Sequence, residues 1–169
     1  MQNNNQIPLQ VDKIDWTVWQ PTERAVLSFI RDGKRLMLIR KKTGLGAGKI
    51  NAPGGRIKPG ETAMQAAIRE TIEEIHMEPK NPRKRGELFF QFTNGYKLHG
   101  EVFFSAEYAG DPTETDEADP FWCSIEDLPY HEMWEDDRYW LPLALEGKSF
   151  VAYFVFNDDR MLDKNVICL

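Results

Sequence analysis

The stretch from Gly44 to Met77 constrains this chain more than any other, because it runs a glycine- and proline-rich loop directly into one well-marked helix. GLGAGK (44–49) and INAPGGRIKPG (50–60) carry a backbone that can turn sharply and approach a ligand closely. From roughly Glu61 to Ile75, Met64, Ala67, Ile68, Thr71 and Ile75 recur at helical spacing and predict an apolar stripe. Pro79 and Pro82 then end the helix.

Glu70, Glu73 and Glu74 stand at i, i+3 and i+4, which puts them on one helix face, away from that stripe. Like charges at this spacing oppose the helix by a few tenths of a kcal/mol per pair, on the order of 0.2–0.5. No lysine follows at the spacings that would offset them. Two readings fit. One is a solvated acidic face; the other is a site for a hard, oxygen-seeking divalent cation such as Mg²⁺ or Mn²⁺.

The rest of the chain reads as strands around that helix. AVLSFI and KRLMLIRKK flank a turn at Asp32-Gly33, and ELFFQF and YKLHGEVFFSAEY flank another at Asn94-Gly95. FWCSI, KSFVAYFVF and MLDKNVICL read as further strands, and Asp136 is a candidate N-cap for a second helix running to Glu146. Strands and helices in this order predict an α/β or α+β layer fold. Residues 1–22 read as an extension whose Trp16 and Trp19 pack on the domain or on a second chain, with one domain over 23–169. A monomer is expected, with the extension as the surface for any dimer.

Charge and cysteines narrow the function classes. The formal net charge of −6 argues against a nucleic-acid polymer as partner, which would need a basic surface. Bound metal ions would still let an acidic protein take phosphates. No apolar run approaches the ~18 residues of a membrane span, and the amide-rich start lacks a secretory pattern, so a cytoplasmic protein is expected. Cys123 and Cys168 read as two buried free thiols, and His76, His99 and His131 are too scattered for zinc. Lys80, Arg83, Lys84 and Arg85 read as a solvated basic loop, and Tyr139 and Trp140 as core.

Gly55-RIKPG-Glu61-TAMQAAI-Arg69-Glu70-Thr71-Ile72-Glu73-Glu74-Ile75-His76-Met77 resembles the Nudix box, G-x5-E-x7-R-E-U-x-E-E-x-G-U. Thr71 stands in place of the aliphatic and His76 in place of the second glycine, a position that needs a left-handed residue. The resemblance implies a Nudix fold, with a mixed β-sheet sandwiched between α-helices. It implies hydrolysis of a phosphoanhydride with Mg²⁺, or alternatively Mn²⁺. Glu70, Glu73 and Glu74 would hold the ions, with a ligand from the Gly54 carbonyl. Arg69 would orient the glutamates and Glu61 the loop.

A second resemblance extends from about Ala25 nearly to the C-terminus. GLGAGKIN (44–51), Glu114/Glu117 and MWEDDRYWLP (133–142) are similar to the MutT homologues that hydrolyse oxidised purine nucleoside triphosphates such as 8-oxo-dGTP and 2-hydroxy-dATP. The resemblance implies that Trp134 stacks on the base, that Asp136 and Asp137 read it, and that Asn51 meets it from the opposite wall. Lys41 matches a pocket lysine, Leu45 stands where the family has a phenylalanine, and Glu117 matches a glutamate acting as metal ligand or general base. Two alternatives are a Nudix hydrolase of ADP-ribose or a dinucleoside polyphosphate, and a non-catalytic nucleotide sensor.

Overall fold

The computed structural model describes residues 10–169. Eleven strands are present: β1 (Glu23–Asp32), β2 (Arg35–Lys41), β3 (Ile50–Asn51), β4 (Gly54–Arg56), β5 (Glu78–Lys80), β6 (Arg83–Phe92), β7 (Lys97–Ser105), β8 (Glu107–Ala109), β9 (Ala118–Ser124), β10 (Phe150–Asn157) and β11 (Arg160–Cys168). The helices are α1 (Ala63–Ile75) and α2 (Asp137–Leu145). The main sheet runs β11-β10-β6-β7-β1-β2-β3, with β4 on β1 and β9 on β2, while β5 and β8 form a separate pair. It is mixed: β1 with β7 and β6 with β10 are parallel, and the other pairings are antiparallel. This is the expected α/β sheet with flanking helices.

Both turns form where Asp32-Gly33 and Asn94-Gly95 stand, with positive φ at each glycine. The first hairpin differs from its expected form. Only Arg31↔Leu36 and Asp32↔Arg35 pair, after which β2 leaves β1 and joins β3 and β9. β4 takes the vacated edge of β1, setting Leu27 opposite Gly54 and Val26 opposite Gly55. A Cβ at Gly54 would lie 2.1 Å from the Val26 carbonyl oxygen, so this close approach requires glycine. The glycine-rich loop is thereby held against the centre of the sheet.

Helix α1 starts two residues later than its periodicity suggests. Thr62 and Gln65 form a reciprocal capping box, with Gln65 N donating to Thr62 Oγ1 at 3.1 Å and Thr62 N to Gln65 Oε1 at 2.9 Å. Glu61 therefore lies in the preceding loop. The helix ends at His76 in the left-handed conformation (φ 59°, ψ 27°) that a glycine would ordinarily supply. Its buried face is Ala66, Ala67, Thr71, Glu74 and Ile75, whereas Met64 is 46% exposed. The stripe is thus rotated from the expected one. Alanines let the helix lie close on Val26 and Phe103, and Thr71 satisfies its hydroxyl on the Ala67 carbonyl at 2.7 Å.

The largest core lies on the other face of the sheet. Leu88, Phe92, Phe154 and Phe156 pack there with Trp140 and Leu141 of α2. Trp140 is fully buried as expected, but Tyr139 points outward. The two thiols are free, with Cys123 half-buried and Cys168 exposed, so the expectation of buried thiols fails at both. Among the described residues no helix is long and apolar enough to cross a membrane.

Residues 10–22 fold back on their own domain. Trp16 packs on Tyr153 and Phe89 at 4.8 and 6.3 Å between ring centroids. Trp19 donates its indole N–H to Gln91 at 2.9 Å, and Val11 N–H reaches Asp163 at 2.7 Å. The remainder of the expected extension, residues 1–9, lies outside the described residues. Trp16 is partly exposed, so Trp16→Ala should cost less than a fully buried aromatic, about 1–3 kcal/mol. Urea unfolding followed by circular dichroism measures this; an unchanged midpoint would show that the segment adds nothing to stability.

Candidate active site

Helix α1 and the loop before β9 bring three carboxylates together. One oxygen from each of Glu70, Glu74 and Glu117 lies within 4.8 Å of the others. Glu117 comes from far along the chain, and backbone contacts set its place. Lys42 N–H donates to the Glu117 carbonyl at 3.0 Å, Thr115 Oγ1 donates to the Glu74 carbonyl at 2.6 Å, and Thr113 N–H donates to the Ile75 carbonyl at 2.9 Å. Glu114 does not join the cluster; it accepts from Lys42 Nζ at 2.6 Å.

Arg69 organises the base of this cluster. Its guanidinium reaches Glu61 at 2.6 and 2.8 Å, Glu70 at 2.8 Å, Glu73 at 3.1 Å and the Arg56 carbonyl at 3.0 Å. Among the described residues Arg69 is the ion-pair partner of Glu61, Glu70 and Glu73, and Lys41 is a second cation acting on Glu74. The Arg69 hydrogen bonds and the Lys58 N–H hold Glu61 down at about 2, and Arg69 is itself raised further above its ordinary value by Glu61. Glu73 leans on Arg69, half-exposed, and stands apart from the three clustered carboxylates.

Glu74 carries the electrostatic strain. It is 5% exposed, on the buried side of α1. Burial first, then the Glu70 and Glu117 charges, push it to about 8, with Lys41 and the Gly54 backbone pulling the other way. Burial also raises Glu70, against the opposing pull of Arg69. Three oxygen donors forced together, one of them deeply buried, form a donor set suited to a hard divalent cation, whose charge would relieve all three. Gly55 keeps room for this arrangement, since a Cβ there would lie 2.4–2.6 Å from the Glu70 carboxylate.

A cavity of ≈ 350 Å³ opens from these carboxylates across the sheet. Lys41, Gly44, Leu45, Asn51, Gly54, Trp134, Asp136 and Asp137 all line it, together with Glu70, Glu74 and Glu117. Trp134 lines the cavity, stands edge-on to Phe92 and Phe156 and carries Lys49 Nζ over its ring at 5.3 Å from the centroid, and Gly46 passes so close that a Cβ would sit 2.7 Å from the indole nitrogen. Leu45 is 48% exposed at the rim. Asn51 turns its carbonyl oxygen to the Ala52 N–H at 2.8 Å.

Asp136 and Asp137 are each 2% exposed. Asp136 begins α2, but its side chain makes no cap; Oδ2 instead accepts from the Trp140 indole at 2.8 Å. Its other oxygen, and Asp137 Oδ2, are buried without a hydrogen-bond partner among the described residues. Burial raises Asp136 to about 6, and burial with the adjacent Asp136 charge raises Asp137 well above the carboxylate range. The pair thus tends to keep a proton, offering a donor beside an acceptor. Unpaired buried oxygens at a cavity wall are costly unless a ligand uses them.

Comparison with known proteins gives the family. The NUDIX domain model matches residues 21–144. The chain belongs to the Nudix family. Two Nudix relatives are oxidized purine nucleoside triphosphate hydrolases. The zebrafish (Danio rerio) enzyme is 42% identical over 123 residues, covering 72% of this chain and 79% of the relative. The mouse (Mus musculus) enzyme is 37% identical over 133 residues, covering 78% and 85%. A MutT protein from Bacillus halodurans superposes with a TM-score of 0.78, covering 85% of this chain and 97% of its own at 21% identity, which shows the shared Nudix fold.

Several lining residues escaped the reading of the sequence. Leu27, Leu88, Phe90, Phe92 and Leu98 form the apolar floor, and Glu23, Arg56 and Tyr96 stand near the mouth. The floor was encoded by alternation in ELFFQF, where every second residue faces the cavity. At the mouth, Tyr96 donates to Glu23 at 2.6 Å and Arg56 pairs with the same carboxylate at 3.0 Å. No local pattern joins residues so far apart in sequence.

Two outcomes follow for the carboxylate cluster. Gly55→Ala should displace Glu70 and lower turnover about 10–100-fold while the fold survives, read from initial rates beside a thermal melt. Glu74 has its folded value raised from 4.5 to about 8, so burial penalises its charged form. Metal-free protein should therefore lose stability as pH rises from 5 to 8, and Glu74→Gln should reduce that loss by about 1 kcal/mol or more. Denaturant unfolding in EDTA at the two pH values is the check; parallel curves for both proteins would contradict the strain assigned to Glu74.

Proposed function

We propose that this Nudix hydrolase converts oxidised purine nucleoside triphosphates to the monophosphate and pyrophosphate, and so cleanses a nucleotide pool. One observation carries the reading: a single cavity has clustered carboxylates at one end and, at the other, a lining indole beside two buried aspartates with unused oxygens. The names of the zebrafish and mouse relatives support the same substrate class. A small-molecule nucleotide is the partner.

Glu70, Glu74 and Glu117 would hold the divalent cation, taken as Mg²⁺ with Mn²⁺ as substitute, and Gly54, which lines the same cavity, would add its carbonyl as a donor. The bound ion supplies charge neutralisation at the phosphate oxygens and a lowered pKa for the attacking water. Arg69, gripped by Glu61 and Glu73, positions Glu70; we assign Glu73 to that task. Lys41 adds positive charge at the phosphate end. Displacement at phosphorus depends mainly on position and charge, which this arrangement supplies.

At the other end, Trp134 offers a stacking face worth roughly 1–3 kcal/mol per base. The Asp136/Asp137 pair, holding one proton between them, presents a donor and an acceptor to the edge of the base. An oxidised purine differs from its parent in where that edge donates and accepts, so the pair selects by hydrogen bonding while the indole binds any purine. Asn51 and Leu45 bound the opposite wall.

Initial rates with Mg²⁺ on 8-oxo-dGTP, 2-hydroxy-dATP, dGTP and ADP-ribose test the substrate. Oxidised triphosphates should lead and release pyrophosphate; orthophosphate as the product, or preference for ADP-ribose, would overturn the reading. Glu74→Gln should reduce kcat by about 10²-fold or more. Between about pH 6 and the higher value of Asp137 the pair retains one proton, so kcat/KM should fall as pH rises beyond that window. Asp137→Asn, which fixes a donor, should flatten the alkaline limb and change the ratio of rates on the two oxidised bases. An unchanged limb and ratio would remove the aspartates from base reading.

A further inference from the structure

The geometry points to a second anion site at the opposite end of α2, in a cleft that takes the diphosphate group of a small ligand. The cleft has a volume of ≈ 450 Å³ and is walled by Arg31, the turn between β5 and β6, the end of β7 and the last turn of α2. Four cations line it, Arg31, Lys80, Arg83 and Arg85, against one carboxylate, Glu107. In a chain of net charge −6, that concentration of positive charge runs against the background.

The four cations differ in how they are held. Arg31 is pinned, its Nε donating to the Gly33 carbonyl at 3.0 Å and its Nη1 to the Leu145 carbonyl at 2.8 Å. Its charge therefore stands at the C-terminal end of α2 without a carboxylate partner among the described residues. Lys80 pairs with Glu78 at 2.9 Å. Arg83 and Arg85 form no ion pair among the described residues, whereas Lys84 between them is tied to Glu87 and Glu101 at 3.0 and 2.7 Å. The irregularity in the β6–β7 register between Lys84 and Gly86 separates these roles. Asn81, with φ 47°, makes the turn that brings Lys80 and Arg83 to the same cleft. Ser105 is also in the wall, and its buried hydroxyl has no partner among the described residues.

The basic cluster lies on two strands and the turn between them, where a loop was expected, and Arg83 and Lys84 are solvent-exposed as that expectation had it. Planar guanidinium groups match phosphate oxygens in pairs, and three of them around one cleft suit more than a single phosphate. Helix α2 separates the cleft from Asp136 and Asp137 by about 13 Å along its axis, so a ligand here does not occupy the catalytic cavity. The inference is independent of the substrate proposed above.

Isothermal titration of the full chain in EDTA, which keeps the carboxylate cluster free of metal, tests the site. Inorganic pyrophosphate should bind, and Arg83→Ala/Arg85→Ala should weaken it at least tenfold, with Arg83→Lys/Arg85→Lys, which keeps the charge and loses the paired contacts, restoring only part of the affinity. Lys41→Ala, in the catalytic cavity, should leave binding unchanged. ADP, titrated into Trp134→Ala to remove base stacking there, distinguishes a nucleoside-borne diphosphate from the free anion: binding of either at the arginines supports the site. Arg83 is exposed, so Arg83→Ala alone serves if the double variant melts early. No binding of pyrophosphate or ADP, binding indifferent to both arginines, or binding lost in Lys41→Ala would overturn the inference.

Discussion

The Arg69 guanidinium is the contact on which the rest of the site depends. It joins the loop to the helix by touching Glu61 and the Arg56 carbonyl on one side and Glu70 and Glu73 on the other. Without it, three glutamates within five residues of one short helix would repel one another and the loop would have no fixed approach. With it, Glu70 is aimed, while Glu74 is left without an ion-pair partner among the described residues. The arrangement leaves a deficit of positive charge at Glu70, Glu74 and Glu117. A site that binds a cation tightly is one whose empty form is strained, and Glu74 is where that strain resides.

The sheet performs the second task, which is spacing. β1 pairs with β2 for only two residues, and the edge it gives up is taken by β4. That exchange lays the glycine loop over the sheet and separates the carboxylates from the aspartates by the width of one apolar floor. The N-terminal end of α2 then delivers Asp136 and Asp137 to the far wall, held by Trp140 in the core. Trp140 thus fixes by hydrogen bonding what Trp134, six residues earlier, leaves open for stacking.

Much of the candidate site was legible in the sequence because it is local. The run from Gly55 to Met77 carries its own spacing, and Trp134, Asp136 and Asp137 lie within four residues. Other parts were misread for physical reasons. The apolar stripe of α1 was drawn through Met64 and Ile68, yet the helix turns its alanines, Thr71 and Glu74 inward, because close packing on β1 and β7 favours small side chains over long ones. Asp136 looked like an N-cap, but the indole of Trp140, the fourth residue of α2, competes for its oxygen and wins. The alternation in ELFFQF shows which residues share the pocket floor but not what they face, and the Glu23–Arg56–Tyr96 group depends on strand pairing across many residues, which no window of sequence displays.

The two carboxylate groups solve one problem in opposite ways. At the α1 end, oxygens are crowded so that a cation is the cheapest way to neutralise them, and the Glu117 end of the cluster is left open to solvent, where an ion can enter. At the α2 end, the same crowding occurs in a drier place, both aspartates being 2% exposed at the inner wall of the cavity, and a proton is the available neutraliser. A phosphate chain needs the first environment and a base edge needs the second, since a cation beside the base would draw both aspartates into their charged forms and abolish the donor. The apolar floor between them sets the cation at a distance from the aspartates, and that distance, not shielding by apolar side chains, limits its pull on them. It is therefore part of the recognition chemistry, because Leu88, Phe90 and Phe92 fix the separation between the two carboxylate groups.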